Sequence, residues 1–238
     1  MRFCIMGIVV ALAVGPPVLA ATPIALHLGQ NNPVTDEGWF INSSGGTGAP
    51  GSEGGVDYWE TNTTGSQRQS YQFDLTSGVD NSSPWEFGAT LKVVAHDLPL
   101  GNIRMTLYDN LDRWDFVFTE TEIAWKTESG FTTSPISFNT TDDYHTYKIV
   151  YDPSGDGGNG SGDLFIDDAF QQTFVRSDIQ DGTGTFVRFG DNSGSSSGTT
   201  TARWSEVYFP APIPEPATLQ LLLMGLAGAM LIWRRQRA

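Results

Sequence analysis

The feature that most restricts this chain is a rhythm. Between residues 21 and 210 apolar side chains recur at every second position in short runs, and no long stretch keeps the ~3.6-residue period of a helix. Ala89, Leu91, Val93 and Ala95 share one parity, as do Ile103, Met105 and Leu107, and His145, Tyr147, Ile149 and Tyr151 alternate with Thr146, Lys148 and Val150. Successive side chains of a strand point to opposite faces, so each run predicts a strand with one buried face. Further strands are expected at 114–125, 163–167, 185–190 and 203–209, with Gly, Pro, Asn and Asp at the breaks. Short strands of this kind close a core by stacking two sheets. The expectation is an all-β domain, a two-sheet antiparallel β-sandwich over residues 21–210. The Gly- and Ser-rich stretches at 43–55 and 193–201 read as long loops within it.

The two ends do not share this rhythm. Arg2, the apolar run 3–14, the helix-breaking Gly15-Pro16-Pro17 and the small residues before Ala21 predict a signal peptide over residues 1–20. Residues 211–238 hold Pro214, Glu215 and Pro216, then an apolar run at 217–233, then Arg234, Arg235 and Arg237. At a rise of ~1.5 Å per residue that run is at the lower limit for a membrane-crossing helix, and the arginines hold its far end in the cytoplasm. The domain then lies across the membrane, touching it only through this helix.

Cys4, the only cysteine, leaves with the signal peptide, so the domain has no disulfide, no thiolate nucleophile and no Cys-ligated metal. The chain carries a net charge of −14, and four of its cations, Arg2, Arg234, Arg235 and Arg237, sit at the ends. A domain that acidic repels nucleic acid and anionic lipid and favours neutral partners or cations.

The tail, Pro214-Glu215-Pro216 followed by an apolar helix and an Arg cluster, resembles the PEP-CTERM sorting tail. The resemblance implies export in a Gram-negative-type bacterium and processing near the Pro-Glu-Pro by an exosortase, with delivery to the cell envelope, the cell surface or the extracellular matrix. A second resemblance lies in residues 144–174, "YHTYKIVYDPSGDGGNGSGDLFIDDAFQQTF", a strand, a Gly/Asp-rich loop and a strand ending at Asp167-Asp168. With the downstream "VRFGDNSGSSSGTTTARWSEVYF" it is similar to the central hairpin and closing strands of concanavalin A-like (laminin G-like) lectin and glucanase domains. The fold implied is a concanavalin A-like jelly roll. Asp168 stands where that family has Gly; Asp tolerates left-handed backbone, so the turn is expected to survive.

Three groups of side chains carry candidate chemistry. In "LYDNLDRWDF" Tyr108, Asp109, Asn110, Asp112, Arg113 and Trp114 combine an aromatic surface with hydrogen-bonding groups at a predicted hairpin tip, a mixture that suits a sugar ring and its hydroxyls. The competing reading of each tryptophan is a core residue. Glu120 and Glu122 are weak catalytic candidates: two apart, they are expected on one face of a strand, ~7 Å apart. The glucanases of this fold carry a longer Glu-x-Asp-x-x-Glu strand, and here Glu122 and Trp125 stand at its second and third positions, which argues against hydrolysis. Asp152, Asp156 and Asp163 offer oxygen ligands for calcium but lack the spacing of an EF-hand, and the same residues make ordinary hairpin loops. His27, His96 and His145 are too scattered for a zinc site, and His145 reads as a packed core residue. No other cofactor is expected.

The function that follows is an exported, surface-sorted, non-catalytic module that binds glycans or extracellular polysaccharide. A structural envelope or matrix protein without a ligand is the first alternative, and a glycoside hydrolase or polysaccharide lyase the second.

Overall fold

A computed structural model of the chain describes residues 23–96, 103–132, 134–191 and 198–210. The expected signal peptide, the Pro-Glu-Pro motif and the apolar helix lie outside these residues. Among the described residues no helix is long and apolar enough to cross a membrane.

In chain order the strands are β1 (Pro23–Leu28), β2 (Phe40–Ser43), β3 (Thr47–Glu53), β4 (Val56–Thr64), β5 (Gln69–Asp74), β6 (Trp85–His96), β7 (Ile103–Asp109), β8 (Asp112–Phe118) and β9 (Glu122–Thr127). They continue with β10 (Gly130–Phe131), β11 (Ile136–Ser137), β12 (His145–Asp152), β13 (Ser161–Ile166), β14 (Ala169–Val175), β15 (Gln180–Asp181), β16 (Thr185–Asp191) and β17 (Thr199–Pro210). They form two antiparallel sheets. One has eight strands in the order β14-β13-β12-β6-β17-β4-β3, with β1 paired to the far half of β17. The other has nine, in the order β10-β9-β8-β7-β16-β5-β2, with β11 on β9 and β15 on β8. The two-sheet antiparallel sandwich is thus the fold that the alternation implies.

The core lies between the sheets. Leu91, Tyr147, Ile149, Val207 and Phe209 from the eight-stranded sheet meet Met105, Leu107, Trp114, Phe116 and Phe189 from the other, all at most 2 % exposed. At its centre Trp85 stacks on Tyr151 at 4.7 Å and meets the edge of Trp114 at 5.5 Å. Trp114 fits because the neighbouring position is Gly162, where a Cβ would come within 2.6 Å of the indole.

Local chemistry decides several junctions. Asp167 and Asp168 take φ of 49° and 62°, the two left-handed residues of a tight hairpin turn, as the sequence implied. Residues 114–125 are not one strand. The chain reverses after Phe118, with Thr119 Oγ1 accepting from the backbone of Thr121 and Glu122, and Phe118 pairs with Ile123. The parity of β6 breaks near its end, where Thr201 pairs with Ala95 but Ala202 with Val93, leaving Val94 as an extra residue. Ala95 is therefore displaced from the core face and His96 turns inward, 9 % exposed. The stretch 43–55, expected as a loop, contains edge strand β3. Its glycines serve close approach: a Cβ on Gly48 would collide with the Tyr71 hydroxyl and one on Gly51 with the Tyr58 ring.

Candidate functional site

The expected hairpin tip exists, and the structure divides its residues between two jobs. β7 and β8 are joined by Asn110 and Leu111, with Asn110 exposed at φ 79°. Asp109 is buried and ties the turn: its Oδ1 accepts from the backbone of Leu111 and Asp112 at 2.9 and 2.7 Å, and its Oδ2 accepts from the Trp114 indole at 3.0 Å. Asp112 is buried against Arg176, whose Nε donates to it; burial raises the Asp112 pKa even though that guanidinium opposes the rise. Trp114 is fully buried in the core, which corrects its reading as a platform for sugar. Asp109 and Asp112 are likewise structural.

Tyr108 and Arg113 face the other way, onto the outer side of the nine-stranded sheet. Opposite residues of adjacent strands share a face, so the register defines rows across it. One row runs Gln72, Arg188, Thr106, Asp115; the next runs Asp74, Phe186, Tyr108, Arg113, Gln180; a third runs Ser70, Gly190, Arg104, Val117, Ala124. Lys126 and its partner Phe131 extend the array at the β9 edge. Thr106, Asp115, Val117 and Ala124 point away from the core yet are at most 1 % exposed. The long side chains around them must therefore lie along the sheet instead of standing off it.

The contacts show how. Tyr108 and Phe186 stack at 4.2 Å with planes 26° apart, Arg113 lies over the Tyr108 ring at 5.3 Å, and Arg188 lies over Phe186 at 4.6 Å. Phe131 sits beneath both Lys126 and Arg104. Asp115 is the central anion. Its Oδ1 accepts from Thr106 at 2.8 Å, and its Oδ2 meets Arg104 at 3.2 Å and Arg113 at 2.6 Å. Arg188 is held differently: its Nε and one terminal nitrogen donate to Gln72 Oε1, and the Gln72 amide donates to Asp74 at 2.7 Å. Burial pushes Arg104 and Arg188 below the ordinary guanidinium value, which leaves both charged at any ordinary pH. Burial raises the Tyr108 hydroxyl above its ordinary value despite the cation beside it, so it remains protonated at neutral pH.

The weak catalytic pair is not assembled. Glu120 lies in the β8–β9 turn, and its carboxylate accepts from the backbone of His96 in the other sheet at 3.2 Å. Glu122 begins β9 and pairs with Ser137. The expectation that both share a strand face is corrected, because the turn falls between them. The calcium candidates do not converge: Asp152 accepts from Ser154, Asp156 from Asn159, and Asp163 from Thr173 on the neighbouring strand. Among the described residues no group of three or more His, Cys, Asp or Glu is arranged to hold a metal ion.

The histidines are apart. His27 is buried, stacked on Phe189 at 5.0 Å and bonded to Glu37 at 2.7 Å. His145 sits at the rim and not in the packed core: its two ring nitrogens contact Asp167 at 2.6 Å and Asp142 at 3.0 Å.

Arg104, Arg188, Phe186 and Gln72 were not among the sequence candidates, although their signal is present. In "IRMTLYD", "DRWDF" and "TFVRFGD" the positions alternating with core residues are Arg, Thr, Tyr, Asp and Phe. Four of the chain's 13 Lys and Arg residues fall on this one face.

No curated protein sequence matches the chain. Solved structures do. A carbohydrate esterase from the Shiga toxin-encoding bacteriophage phi24B superposes with a TM-score of 0.58 at 12 % identity, over 79 % of this chain and 98 % of that one. An endo-β-1,4-glucuronan lyase from the fungus Trichoderma reesei gives 0.55 at 13 %, over 80 % and 96 %. The binding domain of botulinum neurotoxin DC in complex with SialylT gives 0.54 at 11 %, over 86 % of this chain and 51 % of that one. At these identities the likeness is one of fold, and that fold, the concanavalin A-like β-sandwich, hosts enzymes and binding domains alike. Residues 212–237 match the PEP-CTERM protein-sorting motif, which holds the Pro214-Glu215-Pro216 of the sequence and marks this chain as an exported protein sorted to the cell envelope.

Proposed function

We propose that the β-sandwich is a non-catalytic glycan-binding module, processed by an exosortase-type enzyme and displayed on the envelope of a Gram-negative-type cell, with the outer face of the nine-stranded sheet as its binding surface. One observation carries this reading: the stacked Tyr108–Phe186 pair is ringed by Arg113, Arg188, Gln72 and Gln180, which sets aromatic edges beside fixed hydrogen-bonding groups, a mixture that suits a sugar and its hydroxyls. The described fold neighbours whose names concern carbohydrate, an esterase and a glucuronan lyase, support the same substrate class.

Catalysis is the weaker reading on this face. A retaining or inverting glycosidase needs two carboxyl groups flanking one bond. Asp115 is engaged by two guanidiniums and a hydroxyl, and Glu120 and Glu122 diverge. Burial raises the Tyr108 hydroxyl further above neutrality, which suits it as a hydrogen-bond donor.

Affinity electrophoresis of the protein through a panel of neutral and acidic polysaccharides tests the proposal. The wild type is expected to be retarded by at least one of them, and Tyr108→Ala with Phe186→Ala to weaken that retardation at least ~10-fold while the domain still melts cooperatively. No retardation by any polysaccharide sinks the reading. Release of reducing sugar by the wild type restores the enzyme.

A further inference from the structure

We infer that the ligand of this face is an acidic polysaccharide, recognised through the carboxylates of its uronate residues, with Arg188 as the principal anchor. The inference rests on the glycan-binding reading above and adds the charge of the ligand.

The cations of this face are neutralised unequally. Asp115 serves both Arg104 and Arg113, and Asp191 also acts on Arg104. Arg188 makes no ion pair among the described residues. Its fork is fixed by a neutral amide, Gln72 Oε1, which takes both the Nε and a terminal N–H. An amide positions a guanidinium without cancelling its charge, whereas a carboxylate does both. The face therefore holds four cations, Arg104, Arg113, Lys126 and Arg188, against three acids, Asp115, Asp74 and Glu122, of which Asp74 is exposed at the β5 side and Glu122 begins β9. In a chain with a net charge of −14 this local excess is the reverse of the surroundings.

Desolvation makes that excess costly. Arg188 is half-buried beside Phe186, and burial, helped by the neighbouring Arg113 and Arg104 and opposed by Tyr108 and Asp115, pushes its pKa down. An incompletely neutralised, partly buried cation destabilises the folded domain unless an anion completes it. Three further polar atoms on the same face, Ser70 Oγ, Arg113 Nε and Gln180 Oε1, are buried without a partner. The cradle is thus built for something that brings hydrogen-bonding groups of both kinds and a negative charge.

Two features select a uronate polymer over other polyanions. The acidic remainder of the domain repels a densely charged chain such as nucleic acid, whose affinity depends on neutralising many phosphates at once. The positive patch is narrow and interleaved with the aromatic pair, which suits one carboxylate per ring. A sugar residue is also about as long as the ~4.8 Å strand spacing, so a chain laid across β5, β16, β7 and β8 meets one outward side chain per strand.

The test compares polygalacturonate with the same polymer after its carboxyl groups have been reduced to alcohols, and with single-stranded DNA, using the full chain. The inference expects binding to polygalacturonate to exceed that to the reduced polymer and to DNA by at least ~10-fold, to weaken with added salt, and to fall ~10-fold in Arg188→Gln, with Arg188→Lys between the two. Equal binding to the native and reduced polymers overturns the inference and leaves the glycan-binding reading standing. Binding to DNA as tight as to the uronate also overturns it. Undiminished binding in a folded Arg188→Gln places recognition elsewhere. Binding to no polysaccharide removes both readings together. The comparison of polymers uses only the wild type, so it decides even where a variant fails to fold.

Discussion

The outer faces of the two sheets obey the same alternation and differ in how their charges are settled. On the eight-stranded sheet each cation has an acid: Lys148 meets Asp168 at 3.0 Å, Lys92 meets Glu53 at 3.4 Å, and Arg203 meets Glu53 and Glu60, both at 2.9 Å. Several of its aromatics are closed over, with Arg203 above Tyr58, Tyr58 stacked near Tyr144, and the Tyr208 hydroxyl donating to Glu86 across Gly88, while Phe170 on edge strand β14 is exposed. On the nine-stranded sheet Asp115 is shared and Arg188 is held by an amide. The lesson is that charge type alone does not mark a binding face. What distinguishes the two is whether the partner of each cation is itself charged.

The largest effect that bears on this contrast lies beneath it. Trp114 belongs to neither face but to the shared core, so Trp114→Ala is expected to cost ~3–5 kcal/mol and to abolish ligand binding only through unfolding. Thermal or denaturant unfolding checks this. A variant that melts near the wild-type temperature yet has lost binding would return Trp114 to the ligand surface.

A smaller effect separates the faces directly. Arg203→Gln removes a paired, partly exposed cation and is expected to lower stability by ~1 kcal/mol or less while leaving polysaccharide binding unchanged. Binding lost in this variant and kept in Arg188→Gln would exchange the roles of the two sheets.

The smallest is a pH dependence at the rim of the eight-stranded sheet. Burial acts against the His145 cation, but its bonds to Asp167 and Asp142 outweigh that and raise its pKa; the His145 bond lowers that of Asp142. A raised histidine contributes stability that is fully present below its unfolded pKa of about 6.5 and is lost as pH climbs through the folded value. The lowered aspartate contributes above about 3.9, lost as pH falls through its folded value. The melting-temperature advantage of wild type over His145→Gln is therefore expected to be greater near pH ~5.5 than near pH ~8.5. An advantage independent of pH would show that the ring acts only by packing on Phe138.

The sequence made the sheets legible where parity was clean, as in Ile103, Met105 and Leu107, and where a turn had its own chemistry, as at Asp167-Asp168. It concealed the turn after Phe118, because Thr-Glu-Thr contains no Gly, Pro or Asn and the reversal is made by one threonine hydroxyl. It misplaced Trp114, although the two-residue tip at Asn110-Leu111 already sets Trp114 opposite Leu107 and hence inward. The arginine array was hidden for another reason. Arg104, Arg113 and Arg188 come from three strands that are neighbours only through the pairing of β16 with β7, a contact across some eighty residues.

The amide at Gln72 also bears on descent. Glutamine and glutamate have nearly the same shape, so Gln72→Glu would give the fork of Arg188 a charged mate, at the cost of the amide's hydrogen bond to Asp74, and the outer face of the nine-stranded sheet would come to resemble its opposite number. One codon step then separates an open surface from a closed one on an unchanged scaffold. A lineage could silence or awaken this face without rebuilding the sandwich, and position 72 would record which choice each descendant had made.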